Sequence, residues 1–184
     1  MLSLIVIIVI LVVVAAAVIG IYNGLVRMRN QVRNAWSQID VQLKRRHDLI
    51  PNLVETVKGY AGHEKTTLQN VIEARSKAVS AQGVEAQAQA EGELSSALGR
   101  LMVVVEQYPD LKANQNFLAL QEELTSTENR ISFSRQHYND SVMTFNTRLQ
   151  SFPVNIFAGM FGFSAEAFFE IEDAAQREVP KVQF

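Results

Sequence analysis

Cysteine is absent from the chain, so no disulfide framework, thiol nucleophile or cysteine-ligated metal site is available to it. Histidine is scarce, with His47, His63 and His137 alone, and tryptophan occurs once, as Trp36. The H-E dipeptide at His63-Glu64 lacks the second histidine that a zinc-protease helix needs, because Thr67 stands at the fourth position on. Neither a glycine-rich phosphate loop nor a G-x-S-x-G elbow is present. An excess of positive charge is missing too. Lys and Arg number 17 against 19 Asp and Glu, for a net charge of −2, which argues against a nucleic-acid binder. These deficits leave no catalytic residue, cofactor site or metal site to nominate. With 48% hydrophobic residues there is ample apolar surface to bury, which argues against wholesale disorder.

What is abundant is an apolar run at the start. Leu2 to Ile21 reads LSLIVIIVILVVVAAAVIGI, and no charged side chain precedes Arg27. Twenty residues at ~1.5 Å rise span about 30 Å, the thickness of a bilayer's hydrocarbon core. The alternative is a cleaved signal peptide with Ala15-Ala16-Ala17 imitating a cleavage site. The run lacks a basic n-region and continues past the alanines, which favours a retained transmembrane helix over residues 1–22, with Tyr22 as an interfacial aromatic. Arg27, Arg29 and Arg33 follow the run closely. The positive-inside rule therefore expects the large domain in the cytoplasm and the N-terminus outside. Ala16, Gly20 and Gly24 recur every four residues, a spacing that lets a second helix approach closely and makes a homo-oligomer the expectation.

Beyond the anchor the apolar positions keep helical steps. Leu25, Met28, Val32, Ala35, Ile39, Leu43, Ile50, Val54, Val57 and Ala61 mark a helix that continues the span, with a kink expected at Pro51 and a stop around Gly59 to His63. Further helices are expected over Glu64 to Ser80, over Val84 to Gln107 and from a cap at Asp110 to Phe152-Pro153, with a short one near Ser164 to Ala175. No strand-like alternation appears. Short connections favour antiparallel neighbours, hence an all-α chain: a transmembrane helix continuous with a four-helix up-and-down bundle over 23–150, then a Phe-rich segment over 151–184.

The run RNQVRNAWSQIDVQLKRRHDLIPNLVETVKGYAGHE, Arg29 to Glu64, resembles the signature of the LemA family. So do YPDLKANQNFLALQEELTSTENRISFSRQHYND, Tyr108 to Asp140, and the FGF…FFE element at Phe161 to Glu170. The resemblance covers almost the whole chain. It implies a bacterial inner-membrane protein with an outside N-terminus, a four-helix domain and no enzymatic activity, from a family some of whose members are associated with organising membranes, including magnetosome membranes.

Several side chains stand out for other reasons. On the fourth helix Gln121, Glu128 and Arg135 recur every seven residues beside Leu124, Ile131 and Tyr138, and Arg75 interrupts the second helix's apolar face. They form a candidate polar seam, in which Glu128 is expected to pair with Arg75 or Arg135 and set helix register. The carboxylates Glu122, Glu123 and Glu128 read as solvated or ion-paired rather than catalytic, and His47 as a hydrogen-bonded structural residue. Trp36 reads first as packing beside Ala35 and Ile39, and second as an interface anchor. Seven of the ten phenylalanines follow Ser151. Phe157, Met160, Phe161 and Phe163 are candidates for contact with lipid or another subunit, or else for closing their own bundle. Three function classes follow: a self-associating membrane scaffold with the lipid bilayer and its own copies as partners, an adaptor for a membrane protease or signalling protein, and an enzyme with an unrecognised site.

Overall fold

The computed structural model describes residues 1–170 and is all-α; six helices and no strand occur among the described residues. They are α1 (Leu2–Tyr60), α2 (Lys65–Ser80), α3 (Val84–Val105), α4 (Pro109–Lys112), α5 (Gln115–Gln150) and α6 (Val154–Ala158).

α1 runs unbroken from the apolar run past Pro51. A proline at this place cannot donate to the carbonyl four residues earlier, which is that of His47. Arg75 Nε on α2 donates to that carbonyl instead, at 2.7 Å. The helix continues past Pro51 as its apolar steps lead one to expect, and Arg75 has a reason to lie on an apolar face. The start of α5 also differs from expectation. Asp110 lies inside the one-turn helix α4, and the cap of α5 is Asn114, whose Oδ1 accepts the Phe117 N–H at 3.1 Å.

Two compact units divide the chain. The first comprises Met1–Gln38 and Ser134–Ala167. Its core comes from Leu25, Val32 and Ala35 of α1, from Tyr138, Val142, Phe145 and Leu149 of α5, from Val154 and Ala158 of α6, and from Phe163. The 164–167 stretch is not helical, contrary to the short helix expected from Ser164. Its backbone is held by α5 side chains: Asn146 Nδ2 donates to the Glu166 carbonyl while Asn146 Oδ1 accepts the Glu166 N–H, both at 2.9 Å. Tyr138 Oη donates to the Ala167 carbonyl at 2.8 Å. Backbone groups satisfied in this way gain nothing from winding into a helix. Residues 168–170 are likewise not helical, and the rest of that expected helix, 171–175, lies outside the described residues.

The second unit comprises Ile39–Phe133 with the chain from Phe168 onward. Its core joins Ile50, Leu53, Val54 and Val57 of α1 to Leu68 and Val71 of α2, Leu94 and Leu101 of α3, Leu111 of α4 and Phe117 of α5. The steps of three and four between these positions are the helical stripes read from the sequence.

Candidate functional site

Among the described residues, the most heavily buried charges lie in the second unit. Glu91 on α3 is wholly inaccessible, Arg46 on α1 is 3% exposed, and His47 beside it is buried. One Glu91 oxygen accepts from His47 Nε2 at 2.7 Å and from Gln87 Nε2 at 2.9 Å. The other accepts from an Arg46 guanidinium nitrogen at 3.3 Å. Arg46 also donates to Ser95 Oγ at 2.8 Å and meets the Glu128 carboxylate at 3.3 Å. Facing a carboxylate oxygen, which only accepts, His47 Nε2 carries the proton. Gln87 spends its second amide hydrogen on the Ala78 carbonyl near the end of α2, at 3.0 Å. Side chains from α1, α3 and α5 and a backbone carbonyl of α2 thus meet in one polar cluster.

This cluster corrects the expected seam. Glu128 pairs with Arg46, not with Arg75 or Arg135, and its side chain is 52% exposed. Arg75 serves the His47 carbonyl, and Gln121 faces outward. Sequence reasoning passed over Glu91, although Gln87 and Glu91 continue the Leu94–Leu98–Leu101 stripe of α3 backward in helical steps. A carboxylate on an apolar stripe opposite the pair Arg46-His47, itself between Leu43 and Ile50, was the available signal. With both Glu91 oxygens engaged by Arg46, His47 and Gln87, the cluster joins α1 to α3, an arrangement of the kind that buried polar groups use to set helix register.

The remaining candidates gather in the first unit. Trp36 is half-buried and its ring lies 5.4 Å from that of Tyr138. Burial pushes the Tyr138 hydroxyl up to about 12, with the nearby Glu166 carboxylate adding to it. Phe161 and Phe163 pack edge-on against Tyr22, with ring centroids 5.2 and 5.8 Å away. Phe163 also meets Phe145 at 6.4 Å and carries the Arg29 guanidinium 4.9 Å above its ring. Gly162, between the two phenylalanines, has φ +70°, a conformation that side-chain-bearing residues rarely adopt. Phe157 stacks on Phe161, whereas Met160 is exposed. Ala16 and Gly20 are open, and no atom lies within 4 Å of where a Cβ on Gly20 or Gly24 would sit.

The chain is 29% identical over 163 residues to Protein LemA of Metamycoplasma hominis, covering 88% of this chain and 74% of that protein. It is 27% identical over 184 residues to Magnetosome protein MamQ 2 of Paramagnetospirillum magneticum, covering 86% and 68%. Magnetosome protein MamQ of Magnetospirillum gryphiswaldense is 26% identical with the same coverage. The LemA family model matches residues 35–184, which takes in the buried cluster, Trp36 and the Phe-rich segment; the chain belongs to the LemA family.

Proposed function

We propose that this LemA-family chain is a membrane-anchored, non-enzymatic helical protein that self-associates and organises the membrane or the proteins within it. One observation carries this reading: a single uninterrupted helix, α1, holds both a span-length apolar window with none of its residues buried and residues that build the two cores. A soluble protein's core helix buries such a window, whereas a lipid-facing one leaves it bare. The large domain is read as an up-and-down bundle, supported by a second-unit core that draws on α1, α2, α3 and α5. Relatives named as magnetosome proteins fit the membrane-organising role that the family resemblance implies.

In this proposal the protein sits in the bacterial inner membrane, with the domain in the cytoplasm behind Arg27, Arg29 and Arg33. Ala16, Gly20 and Gly24 provide the close-approach stripe for a second copy, with Ala16 and Gly20 exposed in the single chain. Extraction in mild detergent followed by light-scattering mass tests it. The expected wild-type particle contains several copies of the chain, and Gly20→Leu with Gly24→Leu shifts it toward the monomer. A monomeric chain that co-purifies with a different membrane protein overturns the scaffold in favour of an adaptor. An unchanged oligomer in the double variant removes the stripe from the account.

A further inference from the structure

The Phe-rich segment divides into a packed side and a bare side. Val154 and Ala158 of α6 are buried, and Phe161 and Phe163 engage Tyr22. Phe152, Ile156 and Met160 are 79%, 55% and 77% exposed. They are spaced by four residues and offset by two from Val154 and Ala158. At about 100° per residue this places Ile156 roughly opposite Val154 and Ala158 within α6, while Phe152 and Met160 flank the helix in the turns on either side. Three large apolar side chains on one side of a short turn-helix-turn make a surface that water does not favour.

What covers this surface follows from its position. Tyr22 is the first residue after the apolar run Leu2 to Ile21 and stands where a headgroup-level aromatic belongs. Its ring contacts with Phe161 and Phe163 hold the end of α6 beside the point at which α1 leaves the run. The Arg29 guanidinium over Phe163 fastens the same turn from the domain side, and the Gly162 turn lets both aromatic rings reach Tyr22. Arg27 and Arg33, exposed just beyond, supply the positive charge that anionic headgroups attract. We infer that Phe152, Ile156 and Met160 dip into the interfacial layer of the bilayer crossed by α1, making α6 a second, in-plane membrane contact. The contact extends the lipid-facing surface of the span sideways, so the occupant is lipid and not a protein partner. It follows the general pattern of helices that lie in the interface with an apolar side turned to the acyl chains. The inference rests on the proposed membrane span.

Because the protein has no cysteine, single spin labels test the inference in the full chain. Cysteines at Phe152, Ile156 and Met160, one at Val12 in the run and one at Gln136 on exposed α5 are labelled. Each variant is reconstituted into phosphatidylethanolamine–phosphatidylglycerol vesicles. All five positions are exposed, and far-UV circular dichroism is used to check that each variant keeps its helicity. Collision with oxygen, which concentrates in lipid, is compared with collision with a water-soluble nickel chelate. The expected result is loss of nickel-chelate accessibility and gain of oxygen accessibility at the three α6 labels relative to Gln136, to a shallower depth than at Val12. Aqueous behaviour at all three with a lipid signature at Val12 overturns the surface contact and leaves the span standing. Low accessibility to both reagents with spin–spin broadening shows a second copy on the surface and overturns the lipid assignment. An aqueous Val12 label overturns the span, and the contact with it.

Discussion

Glu91→Ala is expected to destabilise the second unit by about 3–5 kcal/mol, the usual cost of leaving a buried charge without its partner. Glu91 is wholly buried and accepts from Arg46, His47 and Gln87. Its removal leaves the Arg46 guanidinium with Ser95 and the half-exposed Glu128, and leaves His47 Nε2 and one Gln87 hydrogen facing an apolar gap. Glu128→Ala provides the contrast. That carboxylate reaches water and shares an arginine already held by Glu91 and Ser95, so its loss costs about 0–1 kcal/mol. Urea unfolding of the detergent-solubilised chain, followed by circular dichroism at 222 nm as a marker of helix, checks both values through their midpoints. Glu91→Ala within about 1 kcal/mol of wild type would show that the cluster does not hold the unit together.

A second large effect is expected at Tyr138, which reports on the first unit. Its side chain is buried against Trp36, and its hydroxyl donates to the Ala167 carbonyl. Tyr138→Ala removes a core aromatic and is expected to cost about 3–5 kcal/mol, whereas Tyr138→Phe loses the hydrogen bond alone, at about 1–2 kcal/mol. The two substitutions also separate packing from proton linkage. The folded-state hydroxyl is raised to about 12, above the ordinary tyrosine value of 10.0. The unfolded chain therefore gives up this proton first. The associated stability is complete below about pH 10 and is lost as pH rises toward 12. Melting temperatures between pH 8 and 12 should fall more steeply for wild type than for Tyr138→Phe, whose difference curve isolates this one group from the lysines. Parallel curves would contradict the linkage.

Much of the local structure was legible because it follows from steric and periodic rules. α2 ends at Ser80 and α3 begins at Val84, on either side of Gly83, whose φ of +85° suits a residue without a Cβ. α1 stops at Tyr60, next to the glycines and histidine read as its terminator. What escaped the sequence is long-range. Arg75 satisfies the carbonyl that Pro51 leaves without a helical donor, 28 residues away, and no local rule connects the two. Glu91 finds its partners 44 and 45 residues away, and a carboxylate on an apolar stripe looks like an exception until those partners are seen. The non-helical 164–167 segment has the same origin, since Asn146 and Tyr138 answer its backbone from α5. Of the candidate interface residues, Phe161 and Phe163 proved to be packed on Tyr22. The exposed side belongs to Phe152, Ile156 and Met160, a distinction that composition alone did not draw.

The account depends most on the chain crossing the membrane with its domain behind the arginines. Accessibility from the two sides of a sealed inner membrane tests this directly. Single cysteines at Ser3, near the N-terminal end of α1, and at Glu122, exposed on α5, are introduced into the cysteine-free chain. Both variants are treated with an impermeant maleimide in intact spheroplasts. The predicted result is labelling at Ser3→Cys, with Glu122→Cys reacting only after lysis. Labelling of Glu122→Cys in intact spheroplasts while Ser3→Cys stays silent would contradict the orientation; labelling of both would contradict the crossing itself.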